Sequence, residues 1–176
     1  MIRPPLSHRP ASFEIHPFYA PYVERVVGET LEEALENDSQ AWEELVADVT
    51  PALERHRYAE GKWSVREVVG HVVDAERMFA SRALAFSRGD RGPYPGFDEN
   101  SYARHSNAHE RPLKELASEF RSVRAATSTL AQGLDGDMWD RVGEASGRKF
   151  SVRGLLWIVA GHSDHHRRLL KGRYLT

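Results

Sequence analysis

The sequence predicts an all-α fold, a bundle of four helices, from two observations. Four stretches of about twenty residues repeat apolar side chains every three or four positions, which is the period of an amphipathic helix. No stretch longer than a few residues alternates apolar and polar side chains in the manner of a half-buried strand. Helices of similar length that follow one another along a chain are typical of a four-helix bundle.

The composition is that of a globular chain, and it narrows the choice of functions. The 176 residues are 40% hydrophobic and 28% charged, with a formal net charge of −2, which suits one domain that is long enough to bury a hydrophobic core. This charge offers no basic surface for nucleic acid, and no stretch reaches the length of a membrane span. The first residues also lack the apolar stretch of a secretion signal. We therefore expect a cytoplasmic protein with neither nucleic acid nor membrane as a partner.

The first element is expected to be extended rather than helical. Residues 1–21 contain five prolines, which favour an extended chain on a surface. We assign residues 1–20 to this N-terminal segment and 21–176 to a single helical domain. Thr30 and Glu33 form a capping box that predicts the start of the first helix, which is expected to end near Pro51. The apolar stripe of this helix consists of Leu31, Leu35, Trp42, Leu45, Val46 and Val49.

The remaining three helices have equally clear start signals. Ser64 and Glu67 form a second capping box, and the helix that follows is predicted to run to about Ser87. Residues 88–111 are predicted to be a long polar loop, and loops of that length generally serve a function. Pro112 suits the start of a third helix, and residues 133–149 are predicted to be a connection. Ser151 caps a fourth helix that is predicted to end at about Lys171.

Two histidines lie on the apolar face of the fourth helix. At about 100° per residue, His162 and His166 fall roughly 20° to either side of the centre of the apolar stripe, whereas His165 falls about 80° away. Four residues are about one turn, so the rings of His162 and His166 project from one face. We favour them as the inward pair, with His162 and His165 as the alternative. A second alternative is that these histidines are ordinary side chains of a helical core.

His71 and Glu76 are the candidates on the second helix. His71 lies at the margin of the apolar surface, and its spacing alone does not bring it near the other pair. Glu76 falls inside the apolar arc, where a carboxylate is not expected to remain unpaired. It either orients a ligand imidazole or pairs with an arginine for structural reasons. We favour the arginine slightly.

Three motifs resemble those of the DinB/YfiT-like proteins. Residues 59–71 (AEGKWSVREVVGH), followed by DAER at 74–77, are similar to the opening motif of that family. GFD at 96–98 resembles its loop signature, and GHSDHH at 161–166 resembles its closing motif. The resemblance spans about residues 17–174, with the motifs in the expected order.

The resemblance implies a four-helix bundle of the DinB/YfiT-like type with a divalent metal held by three histidines. Carried over to this sequence, the metal ligands are His71, His162 and His166. The family includes thiol-dependent transferases and isomerases, and homodimers are frequent in it. Since three nitrogen ligands suit several metals, we expect zinc or nickel first. Cysteine is absent, so any thiol must come from a low-molecular-weight cosubstrate.

Together, these residues predict a metal-dependent enzyme that acts on a small-molecule substrate, either as a hydrolase or as a thiol S-transferase. Three neutral imidazoles leave a divalent metal its full charge, which lowers the pKa of bound water or thiol. Glu76 and His165 are the candidate general bases, and Phe97 and Asp98 in the long loop are the candidate substrate contacts. The alternatives are a metal-containing small-molecule binding or stress-response module without turnover, and a structural protein with histidines in its core.

Overall fold

The computed structural model describes residues 8–175, which form a helical bundle. The helices are α1 (Ala20–Glu24), α2 (Leu31–Asp48), α3 (Val65–Ser87), α4 (Glu99–His105), α5 (Leu113–Gln132) and α6 (Val152–Arg173). The long helices α2, α3, α5 and α6 make up the bundle, with α3 packed against both α5 and α6. The predicted all-α fold is therefore confirmed.

The starts of the long helices follow the predicted caps. The hydroxyl of Thr30 accepts a hydrogen bond from the backbone N–H of Glu33 at 3.2 Å. In the capping box of α3, the Ser64 hydroxyl accepts from the N–H of Glu67 at 3.3 Å, and the Glu67 carboxylate accepts from the N–H of Ser64 at 2.7 Å. These bonds satisfy N–H groups that the helix itself leaves without partners.

Two regions that were predicted to be loops are partly regular. Residues 88–111 contain α4, and residues 133–149 contain a 3₁₀ turn at Gly136–Asp140 followed by strand β1 (Val142–Ala145). Strand β2 (Arg148–Ser151) pairs with β1 in antiparallel register. Four-residue strands and a two-turn helix are too short to give a clear period in the sequence, and for this reason both were missed.

The N-terminal segment is only partly within the described residues. Residues 1–7 of the predicted segment lie outside them, and a 3₁₀ turn at Ser12–Glu14 precedes α1. Helix α1 packs closely on α6, because a Cβ atom at Gly161 would lie only 2.8 Å from the carbonyl carbon of Tyr22. This close approach places Tyr22 beside His162, the residue that follows Gly161.

A layer of buried polar side chains divides the hydrophobic core into two clusters. One cluster gathers around α1, the hairpin, the second half of α3 and the first half of α6, and includes Phe79, Phe86, Leu155 and Trp157. The other gathers around the first half of α3 and the end of α6, and includes Trp42, Val69, Leu116 and Leu170. His71, Glu76, His162 and Ser163 lie between the two clusters and are all buried.

An ion network fills the α2 and α5 side of this polar layer. Arg124 of α5 donates from Nε and Nη2 to the Glu76 carboxylate at 2.9–3.1 Å, and from Nη1 to Asp38 at 3.1 Å. The Ser163 hydroxyl donates to Asp38 at 2.6 Å and accepts from the indole N–H of Trp42 at 2.7 Å. The network thus joins the four long helices through a single buried guanidinium.

Among residues 8–175, no helix is both long enough and apolar enough to cross a membrane.

Candidate metal centre

Three histidines from two helices converge in the polar layer. His71 comes from α3, and His162 and His166 come from successive turns of α6. One candidate ligand atom from each of the three lies within 4.8 Å of the others. The Nε2 atoms of His71 and His162 are 3.1 Å apart. The ring centroids of the three residues are separated by 4.5–5.0 Å.

Burial keeps the three imidazoles neutral. His71 is 4% exposed and His162 is 9% exposed. Burial lowers the pKa of His71 to about 4. Burial, together with the neighbouring His71 and His165, lowers the pKa of His166 to about 2. Burial and the three neighbouring histidines also hold the pKa of His162 well below its usual value. Each ring therefore has a nitrogen lone pair available near neutral pH.

A divalent metal fits these residues. The buried Nδ1 atoms of His71 and His166 have no hydrogen-bond partner among the described residues. At the other nitrogen of the His71 ring, Nε2 lies 3.1 Å from Nε2 of His162, which is close to the separation of two nitrogens that each bind the same zinc ion at about 2.0–2.1 Å. The donor set is three nitrogens, which is the set of many catalytic zinc sites and leaves coordination positions open.

Aromatic side chains surround the three rings. The Trp63 ring lies 4.7 Å from the ring of His71 and 6.4 Å from that of His166, nearly parallel to the latter at 28°. Phe79 and Tyr22 approach the ring of His162 at 5.8 and 6.4 Å. These contacts fix the orientation of the imidazoles and exclude water from their edges, which strengthens electrostatic interactions at the centre.

His165 does not belong to the three-nitrogen group. Its ring is half-buried and lies 4.5 Å from the ring of Tyr22 and 5.1 Å from that of His166. The geometry thus brings together His162 and His166 rather than the alternative pair His162 and His165. Burial, and next to it the charge of Arg25, lowers the pKa of His165. Its role as a base stays a prediction.

Glu76 pairs with an arginine, which was the favoured of its two predicted contacts. Both carboxylate oxygens accept from Arg124, and neither bonds to the unpartnered Nδ1 atoms of His71 and His166. This contact explains how a carboxylate can lie in the apolar arc of α3. The prediction that Glu76 acts as a general base is not tested by these contacts.

Phe97 and Asp98 have contacts of their own within the loop. Asp98 caps α4, accepting from the backbone N–H groups of Asn100 and Ser101 at 2.9 and 3.1 Å. The half-buried ring of Phe97 packs against Tyr102 at 5.0 Å. Their contact with substrate stays a prediction.

Sequence reasoning did not single out two residues beside the centre. Tyr22 lies in α1, which at five residues is too short to give a helical period, and Trp63 lies just before the capping box that begins α3.

The family follows from a comparison with known sequences. A sequence model of the DinB superfamily matches residues 34–170, which is most of the chain. The chain belongs to the DinB superfamily. The resemblance drawn from the three motifs is therefore confirmed, and the match includes all three histidines of the centre.

Solved structures share the fold of this DinB-superfamily chain. YfiT from Bacillus subtilis, described as a probable metal-dependent hydrolase with an unusual four-helix bundle topology, is similar with a TM-score of 0.72 and 15% identity, over 94% of this chain and 91% of its own. A mycothiol-dependent maleylpyruvate isomerase has a TM-score of 0.66 at 15% identity, over 78% of this chain and 58% of its own. The DinB-like protein YjoA from Bacillus subtilis has a TM-score of 0.58 at 18% identity, over 80% and 86% of the two chains.

Among proteins of curated function, none matches this sequence significantly.

Proposed function

We propose that this DinB-superfamily protein is a metal-dependent enzyme that acts on a small molecule, with His71, His162 and His166 as the ligands of a divalent metal. The observation that carries the proposal is the convergence of three neutral imidazoles, two buried and one half-buried, whose ligand atoms lie within 4.8 Å of one another. Zinc and nickel are the metals that we expect first, because both accept imidazole ligands.

The chemistry follows from the charge of the site. A divalent cation held by three neutral imidazoles lowers the pKa of a water or thiol that binds beside it. Trp63 and Phe79 keep bulk water away from the ligand rings. His165 is half-buried and adjacent to His166, and its lowered pKa leaves a ring nitrogen free to accept a proton near neutral pH.

Hydrolysis is the first candidate reaction. In its support, the fold of YfiT, described as a probable metal-dependent hydrolase, matches this chain over nearly the full length of both proteins. Thiol transfer or isomerisation is the second candidate, supported by the fold of the mycothiol-dependent isomerase, although the chain spans only 58% of that protein. Because the chain has no cysteine, the thiol would be a cosubstrate of low molecular weight. A homodimer and a cytoplasmic location belong to the same proposal.

The first experiment measures the metal. The protein is purified without nickel-affinity resin, and its zinc, nickel, iron and manganese contents are determined alongside those of His162→Ala and His105→Ala. His105 is the matched control, because it is exposed on α4 and bonds only to the backbone of its own helix. We expect about one equivalent of metal in the wild type and the control, and less than about a tenth in His162→Ala. A metal-free wild type that takes up no added zinc or nickel would overturn the proposal.

The second experiment measures turnover. Ester, amide and lactone hydrolysis are screened first, followed by conjugation of electrophiles with several low-molecular-weight thiols. We expect His162→Ala to abolish the activity that the wild type and His105→Ala share. An activity that survives in His162→Ala would contradict the catalytic proposal. Metal binding without turnover would favour the alternative, a metal-containing binding module.

A further inference from the structure

Among residues 8–175, three arginines are buried, and they differ in their partners. Arg124 pairs with Glu76 and Asp38, and Arg153 pairs with Glu14 and Asp140. Arg82 is equally buried, at 6% exposure, yet it forms no ion pair with any residue in the range 8–175. Its single hydrogen bond runs from Nη2 to the carbonyl oxygen of Pro95 at 2.8 Å, and its buried Nε has no partner among those residues.

A buried cation without a counter-ion is unfavourable for the folded protein. A guanidinium has five N–H donors, and only one of those of Arg82 is used by the described residues. The pKa of Arg82 is lowered by burial, whereas burial is outweighed at Arg124 by Glu76 and Asp38, which raise its pKa. Such a side chain is retained more readily where a ligand supplies the missing negative charge.

Arg82 lies on the same face of α3 as the metal ligand His71. The two are eleven residues apart, which is three turns and about 16 Å along the helix axis. The Cα–Cβ bonds of a helix tilt toward its N-terminus, which for Arg82 is the direction of His71. Arg82 and the three histidines therefore lie along one side of the helix.

A row of aromatic rings connects the two places. Phe79 approaches the ring of His162 at 5.8 Å, and Tyr19 in turn approaches the ring of Phe79 at 5.8 Å. The phenol of Tyr19 lies near enough to Arg82 to oppose, together with Tyr102, the lowering of its pKa by burial. The buried ring of Phe79 and the half-buried ring of Tyr19 thus form a continuous apolar row between the histidines and the region of Arg82.

The other charged side chains near Tyr19 and Arg82 leave this end of the aromatic row with a net positive charge. Arg148 of β2 also lies near Tyr19, and it has no carboxylate partner among the described residues, its guanidinium resting over the ring of Phe18 at 5.8 Å. Glu99 at the start of α4 is the carboxylate of this region. It raises the pKa of Tyr19 and Tyr22 but forms an ion pair with neither arginine. The region around Tyr19 therefore contains two arginines and one glutamate, and its net charge is positive.

We propose that Arg82 binds a carboxylate group of the substrate, whose reacting group lies at the three histidines. This proposal rests on the proposed function and adds to it the substrate class, a small carboxylic acid with an apolar middle part. The planar fork of a guanidinium matches a carboxylate through two parallel hydrogen bonds. Arg148 contributes a second positive charge near Tyr19.

The binding test uses hydroxamates, which bind zinc, on the zinc-loaded protein. A series with a terminal carboxylate and increasing chain length is compared with the matched series that ends in a neutral carboxamide. By calorimetry, we expect the best carboxylate to bind the wild type at least about tenfold more tightly than its carboxamide. Arg82→Gln should remove this preference, Arg82→Lys should retain part of it, and Arg121→Gln, at an exposed position of α5, should retain all of it.

Three results would overturn the assignment. One is a carboxylate preference that is unchanged in Arg82→Gln. Another is tighter binding of a phosphonate-tailed hydroxamate than of the carboxylate. The third is a loss of stability in Arg82→Gln that matches the loss in Arg124→Gln, because it would make the bond to Pro95 structural. We expect Arg82→Gln to be at least as stable as the wild type in urea.

A metal-free arm separates this proposal from the metal site. Glutarate should raise the melting temperature of the chelator-treated wild type but not of Arg82→Gln, and glutaramide should raise neither. If hydroxamates fail to bind while glutarate protects the wild type through Arg82, the metal proposal fails and the carboxylate site stands. If hydroxamates bind regardless of their tail and glutarate has no effect, the carboxylate site fails and the metal proposal stands.

Discussion

The metal centre and the ion network share one polar layer but satisfy their polar atoms very differently. Glu76 follows His71 on α3, and Ser163 follows His162 on α6, so both regions draw residues from these two helices, and the network adds Asp38 of α2 and Arg124 of α5. In the network, Arg124 has carboxylates on two sides. In the candidate metal centre, the buried Nδ1 atoms of His71 and His166 have no partner in the described part of the chain.

The difference separates the buried polar groups that hold the bundle together from those that the proposed metal would bind. Removal of one partner from a paired buried ion leaves an uncompensated charge, which is strongly destabilising. A buried neutral imidazole without a partner contributes little to stability, because it is already unsatisfied. The network should therefore dominate folding, and the metal centre should dominate ligand binding. Each of the following predictions tests that division.

The largest effect on stability is expected from Arg124→Gln. This change leaves Glu76 and Asp38 buried without their cation, and we expect a loss of about 3–5 kcal/mol in the free energy of unfolding. Urea denaturation of the metal-free protein measures it, with Arg121→Gln on the exposed face of α5 as the control. A loss below about 1 kcal/mol would show that the network does not hold the bundle.

Metal removal should have the next largest effect. A ligand present at about a hundred times its dissociation constant stabilises the folded state by about 2.7 kcal/mol. We expect chelation to lower the melting temperature of the wild type accordingly, and to leave that of His162→Ala unchanged. Equal shifts of the melting temperature in the two proteins would show that the metal binds at another site.

Acid should weaken the metal-free protein through its buried histidines. The pKa of His71 falls from 6.5 to about 4 on folding. Above about pH 6.5 both the folded and unfolded chains are neutral at this residue, so its contribution is complete. As the pH falls toward 4, the unfolded chain takes up the proton first, and the folded state loses stability, on the order of 2 kcal/mol. Urea midpoints at about pH 7 and about pH 5 measure the loss. If the loss of stability between these two pH values is the same in His71→Gln, the loss does not arise from this histidine.

The smallest effect is expected at Asp98, which belongs to neither region. Asp98→Ala removes the cap of α4 and should cost about 1 kcal/mol, whereas Asp98→Asn keeps the cap and should cost little. If turnover falls in both variants, Asp98 contacts the substrate, as the sequence predicts. If it falls only in Asp98→Ala, the residue acts through α4.

The long helices could be predicted from the sequence, and the short elements could not. The caps at Thr30, Ser64 and Ser151 depend only on neighbouring residues. The predicted starts of these three helices therefore lie within one residue of the starts in the structure. Helix α4 and the hairpin are stabilised by packing against the bundle, as at Gly143, where a Cβ atom would lie 2.3 Å from the ring of Phe86. Such tertiary contacts leave no period in the sequence.

The candidate site was predictable only in part for the same reason. Helical spacing alone selected His162 and His166, since both lie on one helix. His71 lies on another helix, and only the family resemblance connected it to them. The isolation of Arg82 from carboxylates is a property of three-dimensional packing, and no sequence pattern shows which charges lack partners.

The close packing of α1 on Gly161 has a consequence for how this protein can diversify. The ligand-bearing bundle lies within the part of the chain that matches the superfamily, residues 34–170, whereas Tyr19 and Tyr22 precede it. One side of the proposed metal centre is therefore formed by residues from outside the segment that matches the superfamily. A change of sequence in α1 would alter the surroundings of the proposed ligands and leave the ligands themselves unchanged.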